Sequence, residues 1–109
     1  MIARFWSAQA TAARAPDYVE HLKTRVLPVV QSVDGYAGAM LLERSLPDAV
    51  EIIVITFWRS VDSIGAFAGD DLEQAVVAEE AAALLTEFDQ RVRHYEVAVK
   101  DDAERKDPA

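Results

Sequence analysis

Strict alternation opens the chain. Over residues 1–8, Ile2, Arg4 and Trp6 fall on one side while Ala3, Phe5 and Ser7 fall on the other, the two-residue period of a β-strand. A short polar turn follows at residues 11–14, and the period then lengthens. Tyr18, Val19, Leu22, Val26, Val29 and Val30 recur at three- and four-residue spacing, with Glu20, Lys23, Thr24 and Gln31 turned away, which predicts an amphipathic helix. Pro16 suits the first helical position and Asp17 the positive end of the helix dipole. Pro28 is expected to weaken the last turn, and Asp34-Gly35 to end the helix.

Residues 36–44 and 50–58 form the next two strands, joined through Ser45-Leu46-Pro47-Asp48 as an antiparallel hairpin. Ser60 reads as the N-cap of a second helix carrying Val61, Ile64 and Phe67 and closed by Gly69. An irregular stretch at 70–77 leads to a further helix over 79–88, then a last strand over 92–99. The charged residues 100–109 read as a disordered tail beyond a single domain at 1–99. The order βαββαβ predicts an α+β, ferredoxin-like domain: a four-stranded antiparallel sheet with its helices on one face. A sheet covered on one face alternates apolar and polar residues. Here the run Ile52-Ile53-Val54-Ile55-Thr56-Phe57-Trp58, and Ala39-Met40-Leu41-Leu42 before it, are apolar on both faces. A second copy of the same sheet is the most economical cover, so the pattern itself predicts a homodimer.

Composition narrows the partners. With 19 acidic residues against 11 basic ones the net charge is −8, which repels phosphate backbones and anionic lipids and argues against nucleic acid or membrane as partner. No apolar run approaches the roughly 20 residues that span a bilayer, and no long apolar signal core opens the chain; a soluble, cytoplasmic protein is expected. The absence of cysteine removes disulfides, thiolate metal sites and a cysteine nucleophile.

The string from Thr56 to Phe67 sets a tryptophan at the end of the third strand, a serine cap, and an aromatic residue nine positions further on. With Asp34-Gly35-Tyr36 and His94-Tyr95-Glu96-Val97, it resembles the antibiotic biosynthesis monooxygenase family of dimeric α/β-barrel proteins, over residues 1–99. The resemblance implies a dimeric barrel with a pocket between sheet and helices, near the end of the third strand. It also implies two chemistries. Haem-degrading members carry an Asn on the first strand, a Trp on the second helix and a haem-ligating His about ten residues later. This chain has Trp6, Phe67 and Val77 at those places, and a valine cannot ligate iron. Quinol monooxygenases ask less: a dry aromatic pocket, a proton acceptor and donors for an oxyanion, with no cofactor, acting on a small aromatic ligand.

Six residues are candidates for such a site. His94, mid-strand on the side of Val92 and Glu96, is the expected base, or else a structural histidine bonded to Glu96 or to backbone. Arg4 lies on the central strand, where its charge needs a partner: an anionic substrate, Glu96 or Glu43. Trp6, Thr56, Trp58 and Phe67 are expected to line the pocket. Asp70, Asp71 and Glu73 read as a solvated cap rather than a metal site, and His21 as exposed. The same pattern also fits a barrel that binds a small molecule without transforming it.

Overall fold

The computed structural model describes residues 1–103. Strand β1 (Ile2–Ala10) leads into a helix in three segments: α1 (Ala15–His21), a π-helical turn (Leu22–Val26) and α2 (Leu27–Gln31). Strands β2 (Tyr36–Ser45) and β3 (Val50–Trp58) form the hairpin, followed by α3 (Val61–Ala68), the short α4 (Glu79–Ala82), β4 (Glu87–Phe88) and β5 (Arg93–Glu96). The sheet runs β2-β3-β1, and both β4 and β5 pair antiparallel with the far edge of β1. This is the expected ferredoxin-like α+β arrangement, with β1 at its centre.

The register decides which side chains meet. Arg4 pairs with Thr56 across one ladder and with His94 across the other. Arg4, Trp6, Ala8 and Ala10 share the helix-facing side with Ile52, Val54, Thr56 and Trp58, and all eight are buried. Tyr18 and Leu22 from the helix close over the larger core cluster; Val30 and Ile64 sandwich Trp58 in a second one. Complete burial of Ile52, Val30, Ile64 and Trp58 contributes on the order of 1.5–3 kcal/mol each. The opposite face of the sheet is open. Ile53, Ile55 and Phe57 lie half-buried there, Met40 and Leu42 keep nearly half their surface in solvent, and Phe5 is flanked by Tyr95 and the Arg93 guanidinium.

Three expectations are corrected. Pro28 does not fray the end of its helix; the disturbance lies upstream, as the π turn at Leu22–Val26. Proline has no N–H for the carbonyl four residues earlier and its ring crowds that carbonyl, so the turn before it widens. The helix over 79–88 stops at Ala82. Glu87 and Phe88 instead pair with Gln9 and Ala8, while the Thr86 amide and hydroxyl both donate to the Gln9 carbonyl. A short isolated helix gains little from alanine propensity, whereas the extra length of β1 offers an open edge, and Phe88 packs against Trp6. The last strand is likewise shorter, four residues. Residues 100–103 carry no regular element, and the rest of the expected tail lies outside the described residues.

Gly35 ties the frame together. Its φ is +97° and its carbonyl accepts from the Arg59 amide at the end of β3. A methyl group there would overlap the side chain of Ser63, which completes the Ser60 capping box of α3. Gly35→Ala is therefore expected to cost at least about 2 kcal/mol, roughly 10 °C in a thermal melt followed by circular dichroism.

Candidate functional site

A cavity of about 250 Å³ lies between the helix-facing side of the sheet and the helix of residues 15–31, closed at one side by residues 76–78 and α4. Its walls are almost wholly apolar: Trp6, Tyr18, Leu22, Val26, Val54, Phe67, Val77 and Val92 among them. Polar and charged side chains stand in two places. Arg4 is in the interior, while the half-buried His21 and the exposed Arg25 and Glu80 mark the mouth.

Arg4 is 5 % exposed and has no carboxylate partner among the described residues. Its Nη1 donates to the Leu72 carbonyl at 2.6 Å and to His94 Nε2 at 2.9 Å, and its Nη2 donates to the Gln74 carbonyl at 2.8 Å. The Phe67 ring lies 5.7 Å from the guanidinium carbon. Burial lowers its pKa to about 10, so the group keeps its charge at neutral pH. Neutral acceptors and a π face hold a buried positive charge that no carboxylate contacts. Glu96 and Glu43, the partners expected from sequence, pair with Ile2 and Ile52 instead. Strand β3 stands between Arg4 and Glu43, which puts that acid out of reach.

The structure brings Arg4, Trp6, Thr56 and Phe67 to the cavity. Trp6 is fixed by donating from Nε1 to the Asp89 carbonyl at 2.9 Å. Trp58 does not reach it: it is fully buried behind the wall, stacked on Phe67 and donating from Nε1 to the Thr56 hydroxyl at 2.8 Å. Its register beside the fully buried Val30 and Ile64 makes it a packing residue that orients Thr56. His94 is also off the cavity. Its Nε2 accepts from Arg4, which places its own proton on Nδ1 and leaves no free lone pair for a substrate proton. The bond to Glu96 is absent, because Glu96 lies two residues along, opposite Ile2.

Other residues of the cavity were not singled out in the sequence. Tyr18 lines it, and its hydroxyl makes no hydrogen bond among the described residues. Burial pushes that phenol up to about 12, so it remains a neutral donor. His21, expected to be exposed, packs against the Tyr18 ring one helical turn away and reaches the mouth with Arg25. Three- and four-residue spacing from Tyr18 and Leu22 was the available signal. Asp71 and Glu73 are engaged by Arg91, which holds Asp71 below the ordinary carboxylate range.

No protein-family model matches the sequence, and no curated protein matches it. Solved structures do. A Bacillus cereus protein assigned to the antibiotic biosynthesis monooxygenases superposes with a TM-score of 0.69 at 13 % identity, covering 94 % of this chain and 96 % of that one. A Deinococcus radiodurans protein assigned to the same group gives 0.64 at 15 % identity, with 94 % and 97 % covered. The fold is that of the antibiotic biosynthesis monooxygenases. The haem degrader MhuD of Mycobacterium tuberculosis, solved with two haems in its active site, gives 0.58 at 19 % identity over 94 % of this chain and all of the other.

Haem does not fit the residues present. The segment 76–78 offers the cavity only Val76, Val77 and Ala78, and the one lining imidazole, His21, stands at the mouth. A cavity of 250 Å³ is also below the roughly 300–1,000 Å³ of drug-sized pockets, and a porphyrin is larger still.

The Arg4–His94 contact has a pH signature. Burial, and then the neighbouring guanidinium, lower the His94 pKa, with Glu73 pulling the other way. The unfolded chain therefore takes up this proton more readily than the folded one. The contribution to stability is complete above the ordinary value of 6.5 and drains as pH falls from there through the lower folded pKa. Melting temperatures measured across that range should fall more steeply for the wild type than for His94→Gln, which cannot titrate.

Proposed function

We propose that this protein is a monooxygenase-like member of the antibiotic biosynthesis monooxygenase group. In this reading it binds a phenolic or quinol-type molecule, whose anion passes electrons to dioxygen without a resident cofactor. The observation that carries the reading is Arg4: a guanidinium that no carboxylate contacts, inside an apolar, aromatic-walled cavity, fixed by three acceptors. Such a charge, shielded from water, favours an oxyanion over its neutral acid and needs no reorganisation as the anion forms. A phenolate or enolate bound there is electron-rich. An anthrone-type substrate supplies all four electrons that dioxygen accepts: its CH₂ becomes C=O with one oxygen atom, and the other leaves as water with the two hydrogens lost.

The residues divide this work. Arg4 stabilises the oxyanion, Thr56 and Tyr18 offer hydroxyls, and Trp6 and Phe67 give aromatic walls that exclude water. His94 acts through Arg4 as a positioning residue rather than as the base expected from sequence. The substrate proton leaves towards the mouth, where His21 is the one imidazole on the lining. A second reading, binding without turnover, is favoured by the interior walls, which hold no free base.

Oxygen uptake with anthrone, naphthol and hydroquinone substrates, without added cofactor, separates the two. Saturable uptake that drops about 100-fold in kcat/KM for Arg4→Met supports the enzyme. Tight binding with no uptake above the uncatalysed rate supports the binder.

The homodimer belongs to the same proposal. The open sheet face carries Phe5, Ile53, Ile55, Phe57, Met40 and Leu42, an apolar area that a second sheet would cover. Light scattering on a sizing column should give twice the mass of one chain, and Leu42→Glu, at a position already 45 % exposed, should give single chains that remain folded.

A further inference from the structure

The hydrogen-bond inventory of Arg4 specifies the shape of the anion as well as its charge. A guanidinium has five N–H groups in one plane. Both on Nη1 are used, by the Leu72 carbonyl and by His94 Nε2, and one on Nη2 is used by the Gln74 carbonyl. Two remain, one on Nε and one on Nη2. No fully enclosed side-chain nitrogen or oxygen among the described residues lacks a partner, so the unpaired Nε is not fully enclosed, and Arg4 lines the cavity. The same holds for the Tyr18 hydroxyl.

Adjacent N–H groups of a guanidinium match two oxygens held side by side, as in a carboxylate, and two parallel charge-assisted bonds are stronger and more selective than one. We propose that the cavity selects planar aromatic anions with a two-oxygen edge, aryl carboxylates and ortho-hydroxy carbonyl compounds, over phenolates with a single oxygen. This rests on the cavity being the ligand site, as proposed above, and not on turnover: within the phenolic class it favours ortho-hydroxy carbonyl compounds, and it adds aryl carboxylates as ligands that bind without reacting. The shape of the site agrees. The walls beside Arg4 are aromatic, from Trp6 and Phe67, and the volume limits the ligand to one or two rings. A lone phenolate oxygen would leave one N–H of Arg4 unpaired in an apolar setting, which is itself a penalty.

Pentafluorobenzoate and pentafluorophenolate make a matched pair, both ionised at neutral pH, with two oxygens and one. Calorimetry on the intact protein should show the benzoate binding at least about tenfold more tightly. In a ¹⁵N-labelled sample the Arg4 Nε–H resonance should move with the benzoate and much less with the phenolate, a readout independent of any variant. Arg4→Lys keeps the charge and removes the fork, and should erase the preference. Its melting curve shows whether loss of the Leu72 and Gln74 tethers has unfolded it, in which case the wild-type resonance decides. Equal affinities, or a preference with no movement of the Nε–H signal, would overturn the two-oxygen selection while leaving the cavity as a ligand site. Binding of neither anion would overturn both.

Discussion

A guanidinium taken out of water must recover its hydration from the protein, and most of this structure is arranged around how Arg4 does so. Its three acceptors come from remote parts of the chain: two carbonyls from the segment after α3 and one imidazole from the last strand. Each is an element with little regular structure of its own. The segment at 69–78 is otherwise held by the Arg91 ion pairs, by the two amide bonds that make the bridge of Gln74 to Arg91, and by Leu72, Ala75 and Val77 packed against the core, and β5 is four residues long. Breaking these bonds would leave a buried charge unpaired, an outcome far costlier than the modest net worth of each bond when made. The charge thus recruits the wall of its own cavity.

Its position follows from the same constraint. A strand at the centre of the sheet has neighbours on both edges, and only there can one side chain meet a residue of the last strand while facing the helices. β1 pairs with β3 on one side and with β4 and β5 on the other, so the alternation of its nine residues divides the molecule into a helix-covered face and an open one. Arg4 falls on the covered face beside Thr56, and Phe5, one residue on, falls on the open face beside Arg93 and Tyr95.

How much of this was legible in the sequence depends on whether local pattern or distant contact decided each element. The hairpin, the Ser60 cap and the Gly69 stop are settled by neighbouring residues, and the structure places them as the pattern predicts. Alternation set Arg4 beside Trp6 and His94 beside Val92 but could not say which face of the sheet each pair takes, since one bulge would swing either away; the unbroken register of β1 with β3 and β5 decides it. Pro28 marked a defect without saying where the strain would be released. The stretch 79–88 was misread because the open edge of β1, a partner more than 70 residues away, outweighed local helix propensity. Within the site, side-chain type suggested roles that only geometry could assign. Trp58 and His94 are one layer behind the cavity, and each orients the residue that reaches it, Thr56 and Arg4.

This layering limits what the site can do. An imidazole whose acceptor nitrogen already holds an arginine cannot also take a proton from substrate without releasing that arginine. Protonating it would set a second positive charge 2.9 Å from the first. The pair therefore works in one state only, imidazole neutral and guanidinium charged, and that state presents an electrostatic surface rather than an acid–base couple. Chemistry in such a cavity must come from the bound molecule itself. Such a cavity can raise the population of a ligand's anion and keep water away, but the electrons and the proton must be the ligand's own.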